Sequence, residues 1–74
     1  MGHRAGIGLI WTLRRIAAGL RQQDVARNTG LSISRYSSLE RGDAMPSQLD
    51  RQLIESFLPP LPGLEGNMEE KSSG

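Results

Sequence analysis

The sequence predicts an all-α protein. It reads as a compact four-helix domain over residues 8–62, or a five-helix one truncated at its C-terminal end, with an N-terminal arm (1–7) before it and an acidic tail (63–74) after it. Three observations lead there. Apolar residues recur at helical spacing in four short stretches. Gly or Pro punctuates the stretches where a helix would stop. No segment shows the strict alternation of a half-buried strand, and no repeat is present.

The first helix is expected from about Gly8 to Ala18, with Trp11, Leu13, Ile16, Ala17 and Leu20 as its apolar stripe and Gly19 at its end. Arg14 and Arg15 fall in its last turn, where cations suit the helix dipole. The second is short, about Gln22 to Asn28, with Asp24 in its first turn and Val25 and Ala26 facing inward. The third runs from about Ile33 to Arg41 with Ser32 as N-cap, Tyr36 and Leu39 on one face and Gly42 closing it. Asp43 to Pro46 is a loop, and Ser47 caps a fourth helix from about Gln48 to Leu58. Its inward stripe is expected to be Leu49, Leu53, Ile54, Phe57 and Leu58. Pro59, Pro60 and Pro62 end it, and from Gly63 the composition is that of a flexible tail.

Composition narrows the function. The chain has 74 residues, no cysteine and a single histidine, His3, near its start, so disulfides and thiolate metal sites are excluded and no metal or other cofactor is expected. No apolar run approaches the roughly 18 residues that span a bilayer. A soluble cytoplasmic protein is the expectation. No nucleophile–base pair, no pair of carboxylates on one face and no glycine-rich phosphate loop is visible, so no enzyme is expected.

Charge is uneven. Up to Leu58, Arg4, Arg14, Arg15, Arg21, Arg27, Arg35, Arg41 and Arg51 outnumber Asp24, Glu40, Asp43, Asp50 and Glu55, whereas the tail carries Glu65, Glu69 and Glu70 against Lys71. Arginine grips phosphate with a planar fork. Charge alone leaves a nucleic-acid face and an ordinary solvated surface equally open. The tail is read first as solubilising and second as a strap for a protein partner. Trp11 and Tyr36 are read as core ahead of stacking platforms.

The stretch Gln22 to Arg41 has the parts of a helix-turn-helix. Two short helices crossing steeply need a small residue in the first (Ala26), a turn residue tolerant of positive φ (Gly30), and apolar residues in the wedge (Val25, Leu31, Tyr36, Leu39). No acidic residue lies between Ile33 and Leu39.

With Gly19-Leu20-x-Gln22, Val25-Ala26, Gly30-Leu31-Ser32, Leu39-Glu40-Arg41-Gly42 and Pro46-Ser47 in this order, the stretch from Trp11 to Leu58 resembles the Cro-type phage repressor family, the xenobiotic-response-element family of helix-turn-helix domains. The resemblance implies a lambda-repressor-like fold that binds double-stranded DNA and reads the major groove with the helix at about 33–41. It implies base contacts from Ile33, Ser34 and Ser38. Arg35, the one long donor of that helix's first turn, is suited either to guanine or to phosphate. It implies backbone contacts from Gln22, Gln23, Ser32, Ser37, Arg41 and Ser47, and a structural salt bridge between Arg15 and Glu40. Departures are Thr29 in place of an apolar residue, Asp43 in a loop that is usually basic, Gln48 in place of an apolar residue, and prolines where many members begin a fifth helix. Leu58, Leu61 and Leu64 are expected to cover that part of the core.

The function expected is a sequence-specific transcriptional regulator, a repressor by preference, bound to DNA as a homodimer. Two alternatives stay open: an antitoxin that also binds its operator and captures a toxin through the tail, and a protein–protein adaptor that does not bind DNA.

Overall fold

A computed structural model describes residues 6–62. Four helices follow one another: α1 (Ile7–Ala17), α2 (Gln22–Thr29), α3 (Ile33–Arg41) and α4 (Gln48–Phe57). No strand is present among the described residues. The acidic tail, the start of the N-terminal arm and Leu64 lie outside that range.

Local chemistry accounts for most of the boundaries. The carboxylate of Asp24 accepts the backbone N–H of Arg21 at 2.8 Å, satisfying an orphan donor at the start of α2. Ser32 Oγ accepts the N–H of Arg35 at 3.0 Å at the start of α3. Ser47 and Asp50 cap α4 reciprocally, Ser47 Oγ taking the Asp50 N–H at 3.1 Å and Asp50 Oδ2 the Ser47 N–H at 2.8 Å. Between α2 and α3 the chain turns at Gly30, whose φ of 80° is left-handed and costs a Cβ-bearing residue about 1–2 kcal/mol.

The core is Trp11, Val25, Ala26, Tyr36, Leu39, Ile54 and Leu58, with Ile7, Leu20, Leu31, Ala44 and Phe57 packed around it. Each large member contributes about 1.5–3 kcal/mol by leaving water. α3 sits between α1 and α2, and α2 also packs on α4. At the crossing of α1 and α3, a Cβ on buried Gly8 would lie 2.4 Å from the carbonyl oxygen of Leu39 and 2.7 Å from that of Glu40. Only glycine lets the two backbones meet this closely.

Two expected stripes are rotated. Leu13 is 46% exposed and Ile16 60% exposed. The inward face of α1 is carried by Ile7, Gly8, Trp11 and the stem of Arg15, successive neighbours at about 100° per residue. Arg15 must lie on that face to reach Glu40, which turns Leu13 and Ile16 outward. Likewise Leu49 is 61% exposed, because Asp50 takes the inward position of the first turn of α4.

Among the described residues, the segment that follows α4 is held by side chains of α1. Arg14 donates to the carbonyls of Leu58 (2.6 Å) and Pro59 (2.9 Å) and to Glu55 (2.6 Å), and Glu55 also accepts the indole N–H of Trp11 at 2.8 Å. Leu58 is buried and Leu61 half-buried. Thr29 is buried too, and its hydroxyl is satisfied by the carbonyl of Val25 at 2.8 Å, so a polar residue is accommodated where an apolar one is usual.

Candidate nucleic-acid interface

Advancing about 100° per residue along α3, Tyr36, Leu39 and Glu40 fall on one side and face the core. The opposite side carries Ser34, Ser38 and Arg41. Ser37 and Arg35 lie on the two flanks, and Ile33 sits at the N-terminal edge, half-exposed.

The inward side is anchored by charge. Arg15 donates to Glu40 in a fork, Nε to Oε2 at 2.7 Å and Nη2 to Oε1 at 3.1 Å, and its Nη1 donates to the Leu20 carbonyl at 3.0 Å. Gln22 Nε2 donates to Glu40 Oε1 at 2.9 Å. Burial alone would push the Glu40 carboxyl up, but the hydrogen bonds from Arg15 and Gln22 outweigh it and hold the group below its ordinary value. The Tyr36 hydroxyl is buried beside this cluster without a partner in hydrogen-bonding geometry. Burial, with the Glu40 charge nearby, pushes its phenol far above the ordinary range, so it stays neutral.

Both flanks are tied as well. Ser37 Oγ donates to Gln22 Oε1 at 2.9 Å, so Gln22 bridges Ser37 and Glu40 and fixes α2 to α3. On the other flank, Arg35 Nη2 donates to Asp50 Oδ2 at 2.6 Å and to the Met45 carbonyl at 3.2 Å. Asp50 is only 6% exposed. The N–H of Ser47, ahead of the Arg35 guanidinium, holds its carboxyl below the usual range.

The twelve residues singled out from the sequence therefore separate. Arg15, Glu40, Gln22 and Ser37 bond to one another and form the mount of α3. Arg35 bonds to α4; to reach a base its guanidinium would have to leave Asp50. Ser34 and Ser38 stay on the outer side, where Ser34 is exposed and Ser38 half-buried, and Ile33 is exposed at the N-terminal edge of the helix. Arg41 is exposed and bridges back to Asp43 at 2.8 Å and to Ser38 at 3.4 Å. Ser32 and Ser47 accept at their helix caps, and their O–H donors have no acceptor among the described residues. Gln23 is exposed on the outer face of α2, one turn from exposed Arg27. Neither Arg27 nor Arg51 has a side-chain hydrogen bond or ion pair among the described residues, and both lie on the exposed surface.

Asp50 was not among the expected site residues, although the Ser47-x-x-Asp50 spacing ahead of an apolar run is a capping-box signature. Gly8 was missed as well, since its role depends on which helix crosses it.

A short helix–turn–helix, with its second helix mounted on three neighbours and one polar side left open, is a DNA-reading geometry. A family model described as helix-turn-helix matches residues 13–62, well over half of the chain. The chain belongs to the Cro/C1-type helix-turn-helix family. The chain matches no curated protein and no solved structure. This helix-turn-helix family consists of DNA-binding transcriptional regulators that are typically not enzymes. Among the described residues no helix is long and apolar enough to cross a membrane, and no group of side chains is arranged to hold a metal.

Proposed function

We propose that this chain is a sequence-specific DNA-binding regulator that lays the open side of α3 in the major groove and represses by occupying its site. The observation that carries the reading is the division of α3. Its inner side and both flanks are bonded to α1, α2 and α4, while Ser34, Ser38 and Arg41 face outward and Ile33 is exposed at the N-terminal edge, with no acid among them. In the groove, Ile33 packs on a thymine methyl and the hydroxyls of Ser34 and Ser38 bond to base edges. The O–H groups of Ser32 and Ser47, with Gln23 and Arg41, contact the phosphate backbone and set the register. Gln22 and Ser37 act by bracing α3, and any phosphate contact of theirs is made alongside that brace.

Serine accepts and donates, so it discriminates weakly between bases. The share of specificity that comes from DNA shape is correspondingly large. Binding as a homodimer places two copies of α3 about 10 base pairs apart, one turn of the duplex.

Selection from a random duplex pool by the purified protein tests the reading. A motif of two half-sites at that spacing, with affinity falling steeply as salt rises, is the expected result. Absence of any tight duplex even at about 50 mM salt sinks it and favours a protein–protein adaptor.

A further inference from the structure

We propose that Asp50 sets the base specificity of the chain by holding Arg35 on α4 and out of the major groove; the proposal rests on α3 being the DNA-reading helix. Arg35 is the only long donor in the first turn of α3, the turn that meets base edges. It stands on the flank of the helix, roughly 90° from the middle of the open side, and its side chain is 40% exposed, so it is within a side-chain swing of the groove. What restrains it is a carboxylate with few alternatives. Asp50 Oδ2 accepts from Ser47 N–H at 2.8 Å and from Arg35 Nη2 at 2.6 Å, and its side chain is 8% exposed. Arg35 Nη2 directs its second donor to the Met45 carbonyl at 3.2 Å.

Two consequences follow for recognition. A bidentate contact to guanine O6 and N7 uses two N–H groups of one guanidinium edge. With Nη2 committed to Asp50 and Met45, both forks that share it are closed, the end-on Nη1–Nη2 pair and the side-on Nε–Nη2 pair, and only single donors from Nε and Nη1 remain, suited to a phosphate oxygen. Pulling Arg35 away would also leave the Asp50 carboxylate shielded from water and short of its cation, a cost that opposes the gain at the base. Asp50 is therefore a positioning residue whose charge decides which side chains of α3 read sequence, and it leaves that task to Ile33, Ser34 and Ser38.

The test is a random-duplex selection on four proteins: the wild type, Asp50→Asn, Arg35→Met and the double variant. Asparagine keeps an oxygen to accept the Ser47 N–H, so the cap of α4 survives while the attraction for Arg35 falls; circular dichroism checks that helix content is retained. Asp50→Asn is expected to gain a guanine preference of about five-fold to a hundred-fold at one position of each half-site. The double variant is expected to lack it. Removing a negative charge strengthens binding to every duplex alike, so a new preference, and not a general rise in affinity, is the readout. Arg35→Met, with Asp50 intact, is expected to keep the wild-type motif; this arm stands even where Asp50→Asn fails to fold. The proposal is overturned by an Asp50→Asn motif identical to the wild type's, by a new preference that persists in the double variant, or by loss of a guanine preference in Arg35→Met. A wild type that selects nothing removes the DNA-reading role and this proposal with it.

Discussion

Arg15→Met removes the partner of the most buried charge among the described residues. Glu40 is 2% exposed, and Arg15 supplies two of its three hydrogen bonds, at 2.7 and 3.1 Å, leaving the one from Gln22 at 2.9 Å. A buried ion pair adds little net stability over an apolar pair of similar shape, but removing one partner strands the other charge and costs about 3–5 kcal/mol. A domain of this size has about 3–9 kcal/mol in total. The variant should therefore unfold at least about 12 °C lower than the wild type, and should be largely unfolded at 25 °C where the total stability lies at the lower end of that range. The sign of its pH dependence is diagnostic. With Arg15 gone, burial raises the folded pKa of Glu40 above its unfolded value of 4.5, so the penalty is full at neutral pH and is relieved as pH falls through the raised folded value. Arg15→Met should become more stable between pH 7 and about pH 5, and adding Glu40→Gln should recover part of the loss at pH 7. Urea denaturation followed by helical circular dichroism, at both pH values, measures this. A loss under about 1 kcal/mol, or no gain on acidification, would refute the stranded-charge reasoning.

Three further outcomes are expected. The wild type should respond to acid in the opposite sense: Glu40, Asp50, Asp24 and Glu55 all have depressed folded pKa values, so the stability they contribute is full above their unfolded values of 3.8–4.5 and is lost as pH falls below these towards the lower folded ones, a loss that thermal melts between pH 6 and pH 3 would show. Gly8→Ala should destabilise by about 1–3 kcal/mol or more despite alanine's better helix propensity, because the new Cβ meets two backbone carbonyls; an increase in stability would mean that α1 and α3 can separate freely. Gly30→Ala should cost about 1–2 kcal/mol through its φ of 80° alone, since its Cβ would meet nothing within 4 Å; an unchanged denaturation midpoint would contradict this.

The four helices were legible because their signals are local. Ser32 and Ser47 precede the helices they cap, Gly30 and Gly42 follow the helices they end, and the prolines stop α4. The inward faces were less legible. Leu13, Ile16 and Leu49 are the more apolar choices for a stripe, but Arg15 and Asp50 each had to point inward to meet a charge far along the chain, and that rotated α1 and the first turn of α4. Pairings such as Arg35 with Asp50 and Trp11 with Glu55 join residues on different helices, so no spacing in the sequence encodes them. For the same reason the long donor of α3 could be singled out from the sequence, whereas the carboxylate that occupies it could not.

DNA recognition by this chain turns on which side of α3 meets the duplex. Amide chemical-shift mapping by NMR, on titration of the selected duplex at low salt, tests this most directly. The largest shifts are expected at Ile33, Ser34, Ser38 and Arg41 and at the Ser32 and Ser47 caps, with the amides of Ile10, Leu13 and Ile16, on the outward face of α1, unmoved. Shifts concentrated on α1 or along Leu49, Leu53 and Phe57 of α4, with the open side of α3 silent, would contradict this expectation.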